Sequence, residues 1–464
     1  MLRPIVLRPL NLAALWLALL LSAAPGGAGA QPSSSPALPL PLPPPEPAPP
    51  PLRPVSWQEV PGWAEDRPSE ALPALLESCR ALAAMSPERE LGGVAEAAQL
   101  GGRPADWREA CAEAAALRAA LARLPVPPAT GRRRGRMRAQ QIAEAREQRA
   151  RSFFERRFQP FAVTTTGLLT GYYEPVLRGS REPDETYRVP LYARPPELAE
   201  ATITPLAQGV PGGLAARRAF GAWRNGRLEP LPTRAQIEDG ALAGRGLELV
   251  HVDDPADAFF LHIQGSGRVV LPDGTLLRLG YAGQNGRPYR SIGRVLIERG
   301  EIPRERMSMQ AIRAWLTNAP NWDRWDRAMR LMRENPSFIF FRVVEGLRPD
   351  QGPIGALGVP LTPMRSIAVD PAFVPLGAPV FIATPDPPEG NRRTPAPPPL
   401  RRLVVAQDTG GAIRGPARGD LFVGWGAEAG DRAGRMREPI EMFVLLPRPQ
   451  PTEVAEERAP PPGR

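Results

Sequence analysis

Eighteen residues, Gln407 to Gly424 (QDTGGAIRGPARGDLFVG), place two carboxylates twelve positions apart around a glycine-rich connection. Asp408 follows the apolar run Leu403 to Ala406, and Asp420 precedes Leu421, Phe422 and Val423, so each acid stands at the end of an expected strand. Gly410, Gly411, Gly415 and Gly419 let the chain turn sharply and leave room for a bulky ligand near the backbone. The string admits two readings: strands that deliver both acids to one site, or a hairpin whose aspartates make the turn.

The N-terminus reads as a secretory leader. Arg3 and Arg8 flank the start of an apolar stretch, Leu10 to Ala24, that is too short to span a bilayer, and Ala28-Gly29-Ala30 supplies small residues for cleavage. No later run is apolar enough for a transmembrane helix, and no cysteine follows the leader to accept lipid. The expected location is the periplasm, peripheral at the outer membrane or cell wall. The proline-rich stretch that follows favours polyproline II over helix or ladder and would reach on the order of 70 Å as a spacer; a disordered leader is the alternative.

The net charge of +9 comes from arginine, since the chain contains no lysine. A basic secreted protein suits an anionic polymer such as a cell-wall glycan with peptide carboxylates. Nucleic acid is disfavoured, because no basic and aromatic strand motif or recognition helix accompanies the charge. The densest patch, within 132–138, is expected to be a solvated face. Cys79 and Cys111 each fall on an apolar helical face, with Leu75, Leu76 and Leu82 in one case and Trp107 and Ala115 in the other. A disulfide between them and two free buried thiols are both open. His251 and His262 are the only histidines, so neither a metal site nor a cofactor is expected.

Residues 55–155 read as helical, with a break over Pro125 to Gly131. Strand character begins at Phe161. Ala258 to Gln264 reads as one of several short strands, helices are expected over 303–318 and 321–334, and the pattern from Ser337 to Leu446 is strand-like throughout. Pro385 to Pro399 reads as loop.

Six motifs in order then carry a resemblance: TGYYEP at 170–175, HIQGSGR at 262–268, MSMQAIRAW at 307–315, NPSFIFF at 335–341, RSIAVDPAFVPLGAPVFI at 365–382 and QDTGGAIRGPARGDLFVGWG at 407–426. Together they resemble the lytic murein transglycosylase A family (MltA), and the last two resemble its 3D module of three aspartates, here Asp370, Asp408 and Asp420. The resemblance implies a mainly β fold, a double-psi β-barrel domain with an inserted second β-rich domain, preceded by a helical N-terminal region. The expected organisation is a signal peptide (1–30), a proline-rich linker (31–54), a helical region leading into the first barrel strands (55–178), an inserted glycan-groove domain (179–300), connecting helices (301–336), the 3D module (337–446) and a disordered tail (447–464). It implies peptidoglycan glycan strands as substrate and wall-synthesis or division proteins as partners. It departs from lipoprotein members in lacking the lipid-bearing cysteine.

The chemistry expected of the aspartates is uneven. Cleaving a glycosidic bond needs an acid of raised pKa, and Asp420, set before an apolar strand, fits that role; the family pattern agrees. Asp408 orients a sugar hydroxyl, stabilises positive charge, or holds the glycine turn, and Asp370 reads as a strand-end cap. Tyr172, Tyr173, Glu174, Gln264 and Ser266 are expected in the groove, where aromatic faces and polar groups meet sugar rings. Two rival readings stand beside the lytic one: an inverting glycoside hydrolase using Asp408 and Asp420, and a glycan-binding protein that does not cleave.

Overall fold

The computed structural model describes residues 52–92, 100–125, 133–165, 167–203, 217–318, 325–385 and 399–448. The expected signal peptide, most of the proline-rich linker, the break after Pro125, the segment 386–398 and the tail beyond 448 lie outside them.

Six strands close into a ring. They are β3 (Gly167–Glu174), β13 (Ser366–Val369), β14 (Pro379–Pro385), β15 (Pro399–Asp408), β16 (Arg418–Trp425) and β17 (Arg437–Pro447). Their order is β17-β14-β15-β13-β16-β3, and β3 pairs again with β17. Leu403 to Ala406 is fully buried, as expected of a near-continuous apolar strand covered on both faces. One face looks into the barrel and the other meets α1 (Leu72–Ala83), which shares the barrel's apolar cluster with α2 (Pro104–Ala122), α3 (Arg133–Arg157) and the start of β2 (Phe158–Val163).

The N-terminal helices are fastened to the barrel by polar contacts that leave few alternatives. Buried Gln407 donates to the Ala74 carbonyl (2.7 Å) and the Ser78 hydroxyl (3.0 Å) of α1. Arg365, just before β13, donates to both Asp66 carboxylate oxygens and to the Leu403 carbonyl, and Asp66 accepts the Leu403 N–H at 2.8 Å. Cys79 and Cys111 are bridged, with Cα atoms 5.6 Å apart, which resolves the choice left open by the sequence.

A second sheet has the order β12-β11-β10-β4-β9-β5, built from β4 (Val176–Ser180), β5 (Val189–Tyr192), β9 (Glu248–Val252), β10 (Gly267–Val270), β11 (Leu276–Gln284) and β12 (Ile339–Val343). A small third sheet follows the order β6-β7-β8 (Ala199–Ile203, Arg217–Arg224, Arg227–Glu229). Four helices, α4 (Pro255–Gln264), α5 (Ile292–Glu298), α6 (Met309–Thr317) and α7 (Trp325–Arg333), bury Phe259, Phe260, Leu296, Leu316, Leu331 and Met332 in a core of their own.

Several sequence expectations are corrected. Ala258 to Gln264 is helix α4, not strand: Asp254 accepts the Ala256 N–H at 2.7 Å, Pro255 opens the first turn, and Gly265 at φ 80° closes the last. A short apolar run fits either element, and these end signals decide it. The region 337–446 is interrupted by α8 (Gly426–Arg435), because positive φ at Gly426 ends the strand and small Ala429, Gly430 and Ala433 form a buried face. The inserted sheet extends past residue 300, since Ile339–Val343 pairs with β11. The linker's last residues, Leu52–Pro54, form a strand (β1) on β2, where an edge position spares a proline any lost ladder bond. Among the described residues helix accounts for 35% and strand for 30%, so the fold is β-rich with an inserted domain and N-terminal helices and not mainly β.

The barrel hands the chain to the insert at Glu174, whose carboxylate is fully buried. Arg268 of β10 donates to it through Nε at 2.7 Å, and Arg278 of β11 through Nη2 at 3.0 Å. Both guanidinium groups also donate to the Gln351 carbonyl, and Arg268 stacks on Trp425 at 4.1 Å. Removing one charge of such a buried set leaves the others uncompensated. Glu174→Gln is therefore expected to destabilise the protein by about 3–5 kcal/mol, read from denaturant midpoints. Replacing both Cys79 and Cys111 by alanine should lower stability by about 3–4 kcal/mol on chain-entropy grounds; equal midpoints for wild type with and without reductant would contradict this.

Candidate active site

The two aspartates are not the arms of a hairpin. β13 lies between their strands, and its Ala368 pairs with Asp408 on parallel β15 and with Asp420 on antiparallel β16. Directly paired residues project from the same sheet face, so both carboxylates reach one side, their Cα atoms about 9–10 Å apart at normal strand spacing.

Asp420 accepts the Thr170 hydroxyl at 2.6 Å. Thr170 in turn accepts from Arg418 Nη2 at 2.8 Å. A guanidinium only donates, so the Thr170 hydrogen is left for Asp420, and Oδ1 is fixed as an acceptor. Asp420 remains partly accessible to solvent, yet the surrounding strands remove enough water to push its pKa up to about 6; Thr170 and Arg418 oppose the shift, and Asp408 adds to it.

Asp408 has a different set of donors. Its Oδ2 accepts the Tyr172 hydroxyl at 2.8 Å, and its Oδ1 accepts the N–H groups of Ala356 and Thr409, each at 2.9 Å. Burial raises its pKa, and these three donors act against the rise. Tyr172 is held well above the usual phenol range by burial and by Asp408, which makes it a standing donor. Its ring lies 5.4 Å from that of Phe422. Asp370, one residue beyond β13, accepts the N–H groups of Ala372 (3.1 Å) and Gly415 (2.8 Å). It thereby ties the glycine-rich connection to the strand end.

The other expected groove residues separate. Gln264 Oε1 accepts the Tyr173 N–H at 3.0 Å, and the Tyr173 ring lies against Gly430 of α8, where an added Cβ would come within 2.9 Å of it. Ser266 is buried. Glu174 is corrected: both oxygens are committed to arginines beneath the surface, so it does not face a ligand. Thr170 and Arg418 escaped sequence reasoning. The signal was present, since Thr170, Tyr172 and Glu174 alternate on one strand face and Arg418 stands two residues before Asp420. Among the described residues, no three His, Cys, Asp or Glu side chains cluster to hold a metal ion, and no helix is long and apolar enough to cross a membrane.

Comparison with known proteins agrees with this architecture. Residues 168–342 match the MltA specific insert domain and residues 365–446 match the 3D domain. The chain is 34% identical to the membrane-bound lytic murein transglycosylase A of Vibrio cholerae over 289 residues, 62% of this chain and 67% of that protein. The crystal structure of a membrane-bound lytic murein transglycosylase from Agrobacterium tumefaciens superposes with a TM-score of 0.66 at 34% identity, covering 85% of this chain and 97% of the other. Escherichia coli MltA with bound chitohexaose gives 0.51 at 28% identity, over 74% and 88% of the two chains. A barrel interrupted between β3 and β13 by an insert, with paired aspartates on the strands flanking β13, and matches over both segments make this chain a member of the lytic murein transglycosylase A family.

Proposed function

We propose that the protein cleaves the β-1,4 bond between N-acetylmuramic acid and N-acetylglucosamine in peptidoglycan, leaving 1,6-anhydromuramic acid ends. The observation that carries this reading is the geometry at Asp420, a carboxyl set one strand away from Asp408 with one oxygen taken by Thr170, where burial pushes its pKa up to about 6. Such a group is protonated often enough near neutral pH to be a general acid, and its conjugate base is strong enough to take a proton back. A relative's complex with chitohexaose supports a glycan ligand. The closed ring, with β13 parallel to β15 and β3 parallel to β16, is read as a double-psi barrel.

Protonated Asp420 gives its proton to the glycosidic oxygen as the C1–O bond breaks and C1 gains oxocarbenium character. The C6 hydroxyl of the same muramyl residue then bonds to C1, and its proton passes to the Asp420 carboxylate. The acid is restored with no net consumption of water. Intramolecular attack supplies proximity without a positioned water. Asp408, with three donors on its carboxylate, is held for orienting the chain and for stabilising positive charge near C1. Tyr172 fixes Asp408, whereas Tyr173, on the opposite face of the strand, packs on α8 and donates its N–H to Gln264. The periplasm, at the wall, is the compartment this substrate assigns.

An inverting hydrolase needs a second carboxylate free to activate water. Both Asp408 oxygens are already occupied, which weighs against that mechanism. A protein that only binds glycan has no use for an acid held near pH 6.

Asp420→Asn keeps shape but not acidity, so turnover should fall by at least ~10²–10⁴-fold with glycan binding retained; near-normal cleavage by the folded variant would sink the assignment. Asp408→Asn should lose less. Mass spectrometry of wild-type products is expected to show anhydro ends, and incorporation of solvent oxygen would establish hydrolysis instead. The acid must be protonated for the first step, so kcat/KM should decline as pH rises through about 6. The Thr170 hydrogen bond lowers the Asp420 pKa. Thr170→Val should therefore move that limb to higher pH, an outcome that a merely structural role for Thr170 would not produce.

A further inference from the structure

Residues 352–361 fold back on themselves as a short hairpin beside Asp408. The Gly352 N–H donates to the Leu361 carbonyl (3.0 Å), the Leu361 N–H to the Pro353 carbonyl (2.9 Å) and the Gly355 N–H to the Val359 carbonyl (3.0 Å). Gly358, at φ 82°, closes the turn by donating to the Gly355 carbonyl at 2.9 Å. Such a turn leaves the N–H groups of its two central residues without a partner inside the hairpin. Both are taken by the end of β15: Ala356 donates to Asp408 Oδ1 at 2.9 Å, and Leu357 donates to the Gln407 carbonyl at 3.0 Å.

Two glycines let the hairpin lie this close. A Cβ on Gly355 would come within 2.6 Å of the Gln407 carbonyl oxygen, and one on Gly352 within 2.6 Å of the Phe422 ring. Neither glycine has positive φ, so what each supplies is space for a close backbone approach. Both ends of the hairpin are also fastened. The Gln351 carbonyl accepts from Arg268 at 3.0 Å and Arg278 at 3.1 Å. At the other end the Thr362 N–H donates to the Ser366 hydroxyl at 2.8 Å, and Ser366 donates in turn to Gln407 Oε1.

We propose that this hairpin is a positioning element for the reaction: the Ala356 N–H directs the Asp408 carboxylate, and Gly355 is the residue whose missing side chain lets it reach. The inference rests on the transglycosylase reading above, in which ionised Asp408 stabilises positive charge near C1. The three donors to Asp408 are not equivalent. Thr409 is the next residue in the chain, so its N–H is a local partner, and Tyr172 takes the other oxygen. Ala356 comes from a separate segment whose root is clamped by arginines of the insert, so its bond ties Oδ1 to a fixed point outside the strand. Burial raises the Asp408 pKa, and among the donors the Ala356 N–H opposes that rise most. Losing this bond therefore leaves Asp408 both less well directed and harder to ionise.

The test uses the full chain and purified peptidoglycan, with folding checked by circular dichroism. Ala356→Pro removes the N–H, and proline suits the first central position of such a turn. Gly355→Ala lifts the same N–H away by crowding the Gln407 carbonyl, and it carries the test if the proline variant does not fold. In either variant kcat at the pH optimum should fall about tenfold, the loss of one hydrogen bond to a charged group. The acidic limb of kcat/KM, where Asp408 takes up its proton, should also move to higher pH, which a merely structural role for the hairpin would not produce. On an Asp408→Asn background no carboxyl remains to titrate, and that displacement should vanish. An acidic limb left in place in both folded variants, or one displaced equally on the Asp408→Asn background, would overturn the proposal. If wild type releases no anhydro ends, the transglycosylase reading fails by itself. A carbon NMR titration of Asp408 needs no turnover and then decides the hairpin: an upward shift in Ala356→Pro supports its role, and an unmoved titration refutes it.

Discussion

The buried carboxylate of Glu174 is the point on which the two sheets depend. It ends the barrel strand that carries Thr170 and Tyr172, and it receives arginines from two adjacent strands of the inserted sheet. A carboxylate withdrawn from water is tolerated only when its oxygens are filled, and here both guanidinium groups go on to hold the Gln351 carbonyl. One charge thus fixes β3, β10, β11 and the segment around Gln351 together. The two side chains that donate to the acids, Thr170 and Tyr172, lie on β3 itself, so the same anchor that joins the sheets also sets the reach of Thr170 to Asp420 and of Tyr172 to Asp408.

The N-terminal helices serve the site from the opposite side. Gln407 adjoins Asp408, and its side chain is held by Ala74, Ser78 and Ser366. Asp66 spans from Arg365 to Leu403, tying the approach to β13 to the strand that ends in Asp408. The disulfide joins α1 to α2 and so stiffens the layer against which β15 packs. Precise placement of catalytic groups needs rigid support behind them, and a helical region outside both matched domain models supplies it.

Much of this was legible in the string, and the exceptions have physical causes. Strand-terminal acids around a glycine-rich turn, buried apolar runs and helix faces around Cys79 and Cys111 are local patterns, and local patterns survive as structure. The hairpin alternative failed because the partner of both acid strands, β13, arrives from some forty residues upstream of Asp408. Glu174 beside two tyrosines read as a sugar ligand because its arginines lie 94 and 104 positions away. Ala258 to Gln264 read as strand because a short, mostly apolar run shows no clear period, and only Asp254, Pro255 and Gly265 mark it as helix.

Two aspartates separated by a single strand behave differently because of what donates to them. Three donors compensate the charge on Asp408, while Asp420 has one hydroxyl whose own lone pair is engaged by Arg418. Burial acts on both, but only where donors are few does it push the pKa up as far as about 6. Fewer donors also make the ionised form of Asp420 a burden on the fold. A group whose folded pKa is raised to about 6 contributes stability below its unfolded value that is lost as pH rises through 6. At neutral pH the fold therefore carries an under-solvated carboxylate in the groove. That instability is what makes the anion a ready acceptor for the C6 hydroxyl proton, so one residue is suited to both halves of the proposed reaction.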